Sequence, residues 1–239
     1  YSKKEESMAG SFDFSQFIND SKATVLSPKD YFSSMAKEGG LVEPIIKAVL
    51  YGVISGVIYF IFTLLNLSAY TMFGTGAAMA LIGPAIFAII GLFIGGVIML
   101  IISAICGGNT AFEANARVVA ALMVLGPVQA LFSFLTSISF YLGLIVSALI
   151  ALYGLYLTFI ALVNALNAKE NVAKIVIGIL AVLYVLSLYG SFKAYRFAGH
   201  MGEQMLEQTE KLSSEQQKAL EQLQQLQKSL EKLEQEQNE

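Results

Sequence analysis

The sequence predicts an all-α polytopic membrane protein. Five transmembrane helices follow a short amphipathic helix at the membrane surface and precede a coiled-coil helix. Three observations carry this expectation. The 239 residues are 56% hydrophobic and only 14% charged, where a soluble domain carries about 25% charged residues, and the mean hydropathy is +0.64. Residues 48–112, 118–168 and 175–192 contain no charge at all. At about 20 residues per membrane helix these stretches accommodate two spans, two spans and one. Finally, residues 198–239 change abruptly to Gln, Glu, Leu and Lys with a heptad-like spacing.

Taken in order, residues 1–26 are polar and weakly patterned, with aromatics in SFDFSQF, and are expected to be mobile. Residues 27–40 follow as SPKDYFSSMAKEGG. Ser27 is a candidate cap, Pro28 suits the first helical position and Asp30 suits the first turn. Tyr31, Phe32 and Met35 fall on one side before Gly39-Gly40 ends the helix. This is the pattern of a helix lying in a membrane surface; a solvated helix or loop is the alternative.

The five-helix region occupies 44–192, with spans at Pro44–Leu67, Ala77–Ile105, Ala111–Leu135, Tyr141–Leu166 and Val172–Phe192. Gly83-Pro84 predicts that the second span is tilted, kinked or partly re-entrant. Gly52-x-x-x-Gly56 and Gly91-x-x-x-Gly95 permit close helix approach. Tyr51, Tyr70, Tyr141, Tyr189 and Tyr195 lie near predicted span ends, as interfacial aromatics do. With five spans, Lys29, Lys37, Lys47, Arg117, Lys169 and Lys174 fall on the N-terminal side, while connectors 67–76 and 136–140 are uncharged. The positive-inside rule then puts the N-terminus in the cytoplasm and the tail outside, with Lys193 and Arg196 as the only opposing residues.

In the tail, Met205, Thr209, Leu212, Gln216, Ala219, Leu223, Leu226, Leu230 and Leu233 keep an alternating 4-3 spacing. That is a coiled-coil seam, weak in its first half and regular in its second. A lone solvated helix is the alternative.

Chemistry is hard to find in these residues. The stretch ICGGNTAFEANAR at 105–117 sits between two long apolar runs and holds an acid, a base and two adjacent glycines. Thr110, three residues before Glu113, predicts a capping box. Glu113 and Arg117, four apart, predict an exposed helical pair worth about 0.5 kcal/mol. Cys106 reads as a small buried hydrophobe, and His200, the only histidine, as a solvated helix residue. There is no phosphate loop, no His/Cys cluster and no nucleophile–base constellation, so the sequence points to no enzyme, no catalytic or metal-binding residue and no cofactor. Gln129, Asn164 and Asn167 are the candidates for a polar path; helix-to-helix or own-backbone hydrogen bonding is the plainer reading of such side chains. The leading function is a non-enzymatic membrane scaffold or assembly protein. Its expected partners are the lipid bilayer and a homo-oligomer or larger membrane complex, with no nucleic acid. An oligomeric pore or transporter subunit is the alternative.

Four segments resemble the Yip domain family of Ypt/Rab-interacting-protein-like membrane proteins. LSPKDYFSSMAKEGGLVEPIIKAVLYGVISG resembles the juxtamembrane helix and first span of bacterial members. CGGNTAFEANARVVA resembles their Gly-Gly turn and polar helix start. GPVQALFSF holds a proline where the family places one in the third span. LIALYGLYLTFIALVNALNAKENVAKIVIGIL resembles the last two spans and the short basic turn between them. The resemblance implies a five-helix domain with a cytoplasmic N-terminus, in a bacterial cytoplasmic membrane, and no catalytic residues. Eukaryotic members are associated with vesicle traffic and small GTPases. The long tail departs from the family pattern and suggests assembly through it.

Overall fold

The structure, a computed structural model, describes residues 13–67 and 76–197. The expected coiled coil with its seam, His200, most of the first connector and the first twelve residues lie outside them. Two compact units divide the chain, one up to Val185 and one from Leu186. No strand occurs among the described residues, and five helices are long and apolar enough to cross a membrane.

The first surprise is at the N-terminus. Residues 14–26, expected to be mobile, form helix α1 (Phe14–Leu26). Asp13 starts it by accepting from the amides of Ser15 and Gln16 at 2.8 and 3.1 Å, which satisfies two of the free donors at the helix start. Phe17 and Thr24 are buried.

Helix α2 (Pro28–Ser34) is shorter than the expected 27–40, and Ser27 makes no side-chain cap. Ser33 and Ser34 turn their hydroxyls back to the carbonyls of Lys29 and Asp30, a local bond that competes with further helix. Its aromatic face does not lie on lipid. Tyr31 and Phe32 are buried in a cluster with Cys106, Val118, Leu162 and Leu166, so α2 is held by protein.

The spans are α3 (Val42–Leu64), α4 (Gly76–Ile105), a third span in three pieces, α8 (Phe140–Asn164) and α9 (Glu170–Phe197). α3 and α4 form the closest pair, and glycine makes it possible. A methyl on Gly52 would fall 2.6 Å from the Cα of Ala85, and one on Gly56 would collide with the Leu81 carbonyl. The motif therefore packs two spans of one chain. α4 runs through Pro84 as one helix.

The third span is α5 (Phe112–Leu122), α6 (Leu125–Phe132) and α7 (Leu135–Ile138), where one continuous helix was expected. Pro127 has no N–H for the Met123 carbonyl and its ring crowds that turn; the Gly126 amide takes that carbonyl instead, at 2.9 Å. Around 133 the ladder tightens again, with Ser133 giving both its amide and its hydroxyl to Ala130.

Helix ends at both connectors use left-handed residues. Gly107 (φ +67) sits between a Gly107 amide bond to Ala104 and a Gly108 amide bond to Ser103, the Schellman arrangement. Asn66 (φ +56) does the same after α3, with Asn66 to Thr63 and Leu67 to Phe62. The turns after α4 and α8 are then tied together: Asn109 donates to Leu166 at 2.7 Å and Lys169 to Cys106 at 2.9 Å. In the second unit, α9 continues to Phe197 with Lys193 over the Tyr189 ring and Arg196 over Phe192.

Candidate functional site

Five charged residues of the first unit, Asp20, Glu43, Lys47, Glu113 and Arg117, gather where α3 and α5 begin. Glu43 lies in the first turn of α3, where the helix dipole favours an acid, and Lys47 is one turn on. Lys47 is 7% exposed; its ammonium meets Glu43 at 2.9 Å and Asp20 of α1 at 2.8 Å. Arg117, on α5, is equally buried. It donates to Glu43 at 2.8 Å, to the Gly40 carbonyl at 3.0 Å and to Glu113 at 3.3 Å. Glu113 in turn accepts from the Gly40 amide at 2.6 Å.

The turn before α3 is shaped for this clasp. Gly39 (φ +125) and Gly40 (φ +84) take conformations that side chains resist, and a methyl on Gly39 would sit 2.8 Å from the Arg117 guanidinium. These glycines do not end α2, which stops at Ser34. They let the backbone bond both members of the Glu113–Arg117 pair.

Two expectations change accordingly. Thr110 does not cap α5: Ala111 is the capping residue without a side-chain bond, and Asn109 accepts from the Ala111 amide instead. The Glu113–Arg117 pair belongs to a partly buried network that joins α1, the Gly39-Gly40 turn, α3 and α5. An exposed-pair value of about 0.5 kcal/mol therefore understates Arg117.

Three carboxylates share two cations, and little room is left. Tyr31, Met35, Glu43, Pro44, Lys47, Arg117 and Ala120 surround a cavity of only about 10 Å³, enough for one water at most. Burial pushes the Tyr31 phenol above the ordinary tyrosine value, against the pull of the Lys47 ammonium. The arrangement is built to hold elements together.

The polar-path candidates are not brought together. Gln129 donates to Ser147 of α8 at 2.7 Å. Asn164 bonds its own helix at Ile160. Asn167 is an exposed left-handed turn residue (φ +54) whose side chain accepts from Lys37 at 3.4 Å. Gln129 borders an open groove of about 340 Å³ between α3, α4 and the third span, with Tyr51, Ser55, Tyr59 and Phe87. Asn115 is fully buried, and its amide nitrogen clasps the carbonyls of Asn109 and Ala111. No group of His, Cys, Asp and Glu suited to a metal occurs among the described residues.

Glu43, Lys47, Asp20 and Gly40 have signals in the sequence. Glu43 and Lys47 keep the i, i+4 spacing of a helical ion pair. Asp13 with Gln16 three residues on is a helix-start signature, and it would have placed Asp20 on a helix.

The fold and this clasp define an integral membrane protein of five spanning helices. The chain belongs to the Yip1 domain family, whose model matches residues 22–190. That match begins inside α1 and ends within α9. No curated protein and no solved structure is similar enough to the chain to match it.

Proposed function

We propose that this protein is a non-enzymatic membrane scaffold or assembly protein that serves membrane organisation or trafficking and associates through its C-terminal heptads. One observation supports it above others: Asp20, Glu43, Lys47, Glu113 and Arg117 are engaged with one another or with the Gly40 backbone. Chemistry needs groups poised toward a substrate; these are committed to joining helices. Lys29, Lys37, Lys47, Arg117, Lys169 and Lys174 support a cytoplasmic N-terminus and a tail on the opposite side, and we place the protein in a bacterial inner membrane. The heptad leucines at Leu223, Leu226, Leu230 and Leu233 supply the apolar seam for association, each worth roughly 1.5–3 kcal/mol on burial.

Reconstitution tests this. Liposomes containing the protein should show no ion or solute flux, and Leu226→Asp with Leu230→Asp should lower the assembly mass in mild detergent while the spans stay inserted. A flux that Gln129→Leu alters would instead establish a pore, and an unchanged mass would move the assembly element out of the tail.

A further inference from the structure

α1 carries a face that the protein does not cover. Phe17 and Thr24 point into the bundle, yet Phe14 and Ile18 are 56% and 38% exposed. On a helical wheel of 3.6 residues per turn, Phe14 and Ile18 form an open stripe beside the buried Phe17, while Val25 on the same side packs against Phe17, Tyr51 and Val124. Ser15, Asn19 and Lys22 form another on the side away from it, and all three are exposed. The helix thus has three aspects: one on protein, one apolar and open, one polar and open.

Its position says what covers the open apolar aspect. Asp20 is held by Lys47, Ser21 by the Tyr51 hydroxyl at 2.7 Å, and the Val25 carbonyl accepts from the Tyr153 hydroxyl. Phe17 packs on Tyr51 with ring centroids 4.9 Å apart and shares a cluster with Val124. Tyr51 lies four residues along α3 from Lys47, and Val124 seven residues along the third span from Arg117, roughly 6–10 Å in from the charged clasp. α1 is therefore strapped across the side of the bundle within the length of the spans. Tyr153, which meets α1 there, has its ring 5.8 Å from that of Tyr156, and Tyr156 and Leu152 are exposed, part of the surface that the spans offer to lipid.

We infer that α1 is an interfacial membrane helix, with the Phe14–Ile18 stripe buried in the acyl boundary of the bilayer and Ser15, Asn19 and Lys22 at the headgroups. Such a helix sinks its apolar side about 5–10 Å into that boundary. Continuity with the lipid-facing side of α8 selects lipid over a soluble partner. The membrane-surface role expected of residues 27–40 falls to the helix before them, because Tyr31 and Phe32 are used up inside the protein.

The chain has no tryptophan, so single reporters can read each aspect. Full-length protein carrying Ile18→Trp or Asn19→Trp would be reconstituted in phosphatidylcholine–phosphatidylglycerol vesicles, with and without lipid brominated near the top of the acyl chain. The Ile18→Trp protein should emit further to the blue and be quenched several-fold more by bromolipid. The Asn19→Trp protein should be quenched more by aqueous iodide. Phe14→Trp reads the same stripe should Ile18→Trp fail to insert. Iodide access without bromolipid quenching at 14 or 18 would overturn the inference by placing the stripe in water. Blue emission with neither quencher effective would overturn it by showing a protein cover. Equal bromolipid quenching at 18 and 19 would overturn it by showing a submerged helix.

Discussion

Replacing Arg117 by methionine removes the guanidinium while keeping much of the side-chain volume, so the cost is electrostatic rather than a cavity. Arg117 loses its bonds to Glu43 (2.8 Å), the Gly40 carbonyl (3.0 Å) and Glu113 (3.3 Å). The groups left behind are not stranded. Glu43 keeps Lys47 at 2.9 Å, Glu113 keeps the Gly40 amide at 2.6 Å, and exposed Gly40 can turn its carbonyl to water. Breaking a buried pair costs about 3–5 kcal/mol when one charge is abandoned; with these substitutes available the lower end applies, about 3 kcal/mol. For a domain of this size that lowers the melting midpoint by on the order of 10 °C, measured by thermal unfolding in mild detergent. Adding Glu43→Gln to Arg117→Met should cost less than the two single changes together, since the residues share a contact. An unchanged midpoint for Arg117→Met, or strict additivity with Glu43→Gln, would refute the clasp as the element that ties α3 to α5.

Gly56→Ala should destabilise by about 1–3 kcal/mol, at the upper end because the obstacle is the Leu81 backbone; Gly178→Ala, with nothing within 4 Å, should not lower the midpoint. Equal effects in the same melting assay would contradict the α3–α4 packing. Cys106 is fully buried and burial pushes its thiol up, so at neutral pH it should resist a maleimide in the folded protein and react after SDS denaturation; rapid labelling without denaturant would count against that burial. In a Cys106→Ala background, Lys169→Cys should be protected from an impermeant thiol reagent in intact cells and Gln216→Cys labelled. The reverse pattern would invert the proposed orientation, and matching labels would contradict an odd number of spans.

Much of the fold was legible because a bilayer imposes simple rules. Charge-free runs of sufficient length had to be spans, and left-handed turns had to fall on residues such as Gly107. The bounds of α4 and α8 are close to what hydropathy alone marks. Two kinds of feature needed the tertiary structure. The kink was expected at Gly83-Pro84, yet α4 runs through as one helix and the break falls at Pro127, where the Gly126 amide takes the Met123 carbonyl. The clasp was less visible still, since Asp20, Gly40, Glu43, Lys47, Glu113 and Arg117 are spread over almost a hundred residues, and local spacing reports only pairs on the same helix. Whether an aromatic on a short amphipathic helix meets lipid or protein is equally non-local. Phe32 and Ile18 carry the same kind of apolar signal in the sequence, and only the packing of Leu162 and Leu166 buries the first and leaves the second open.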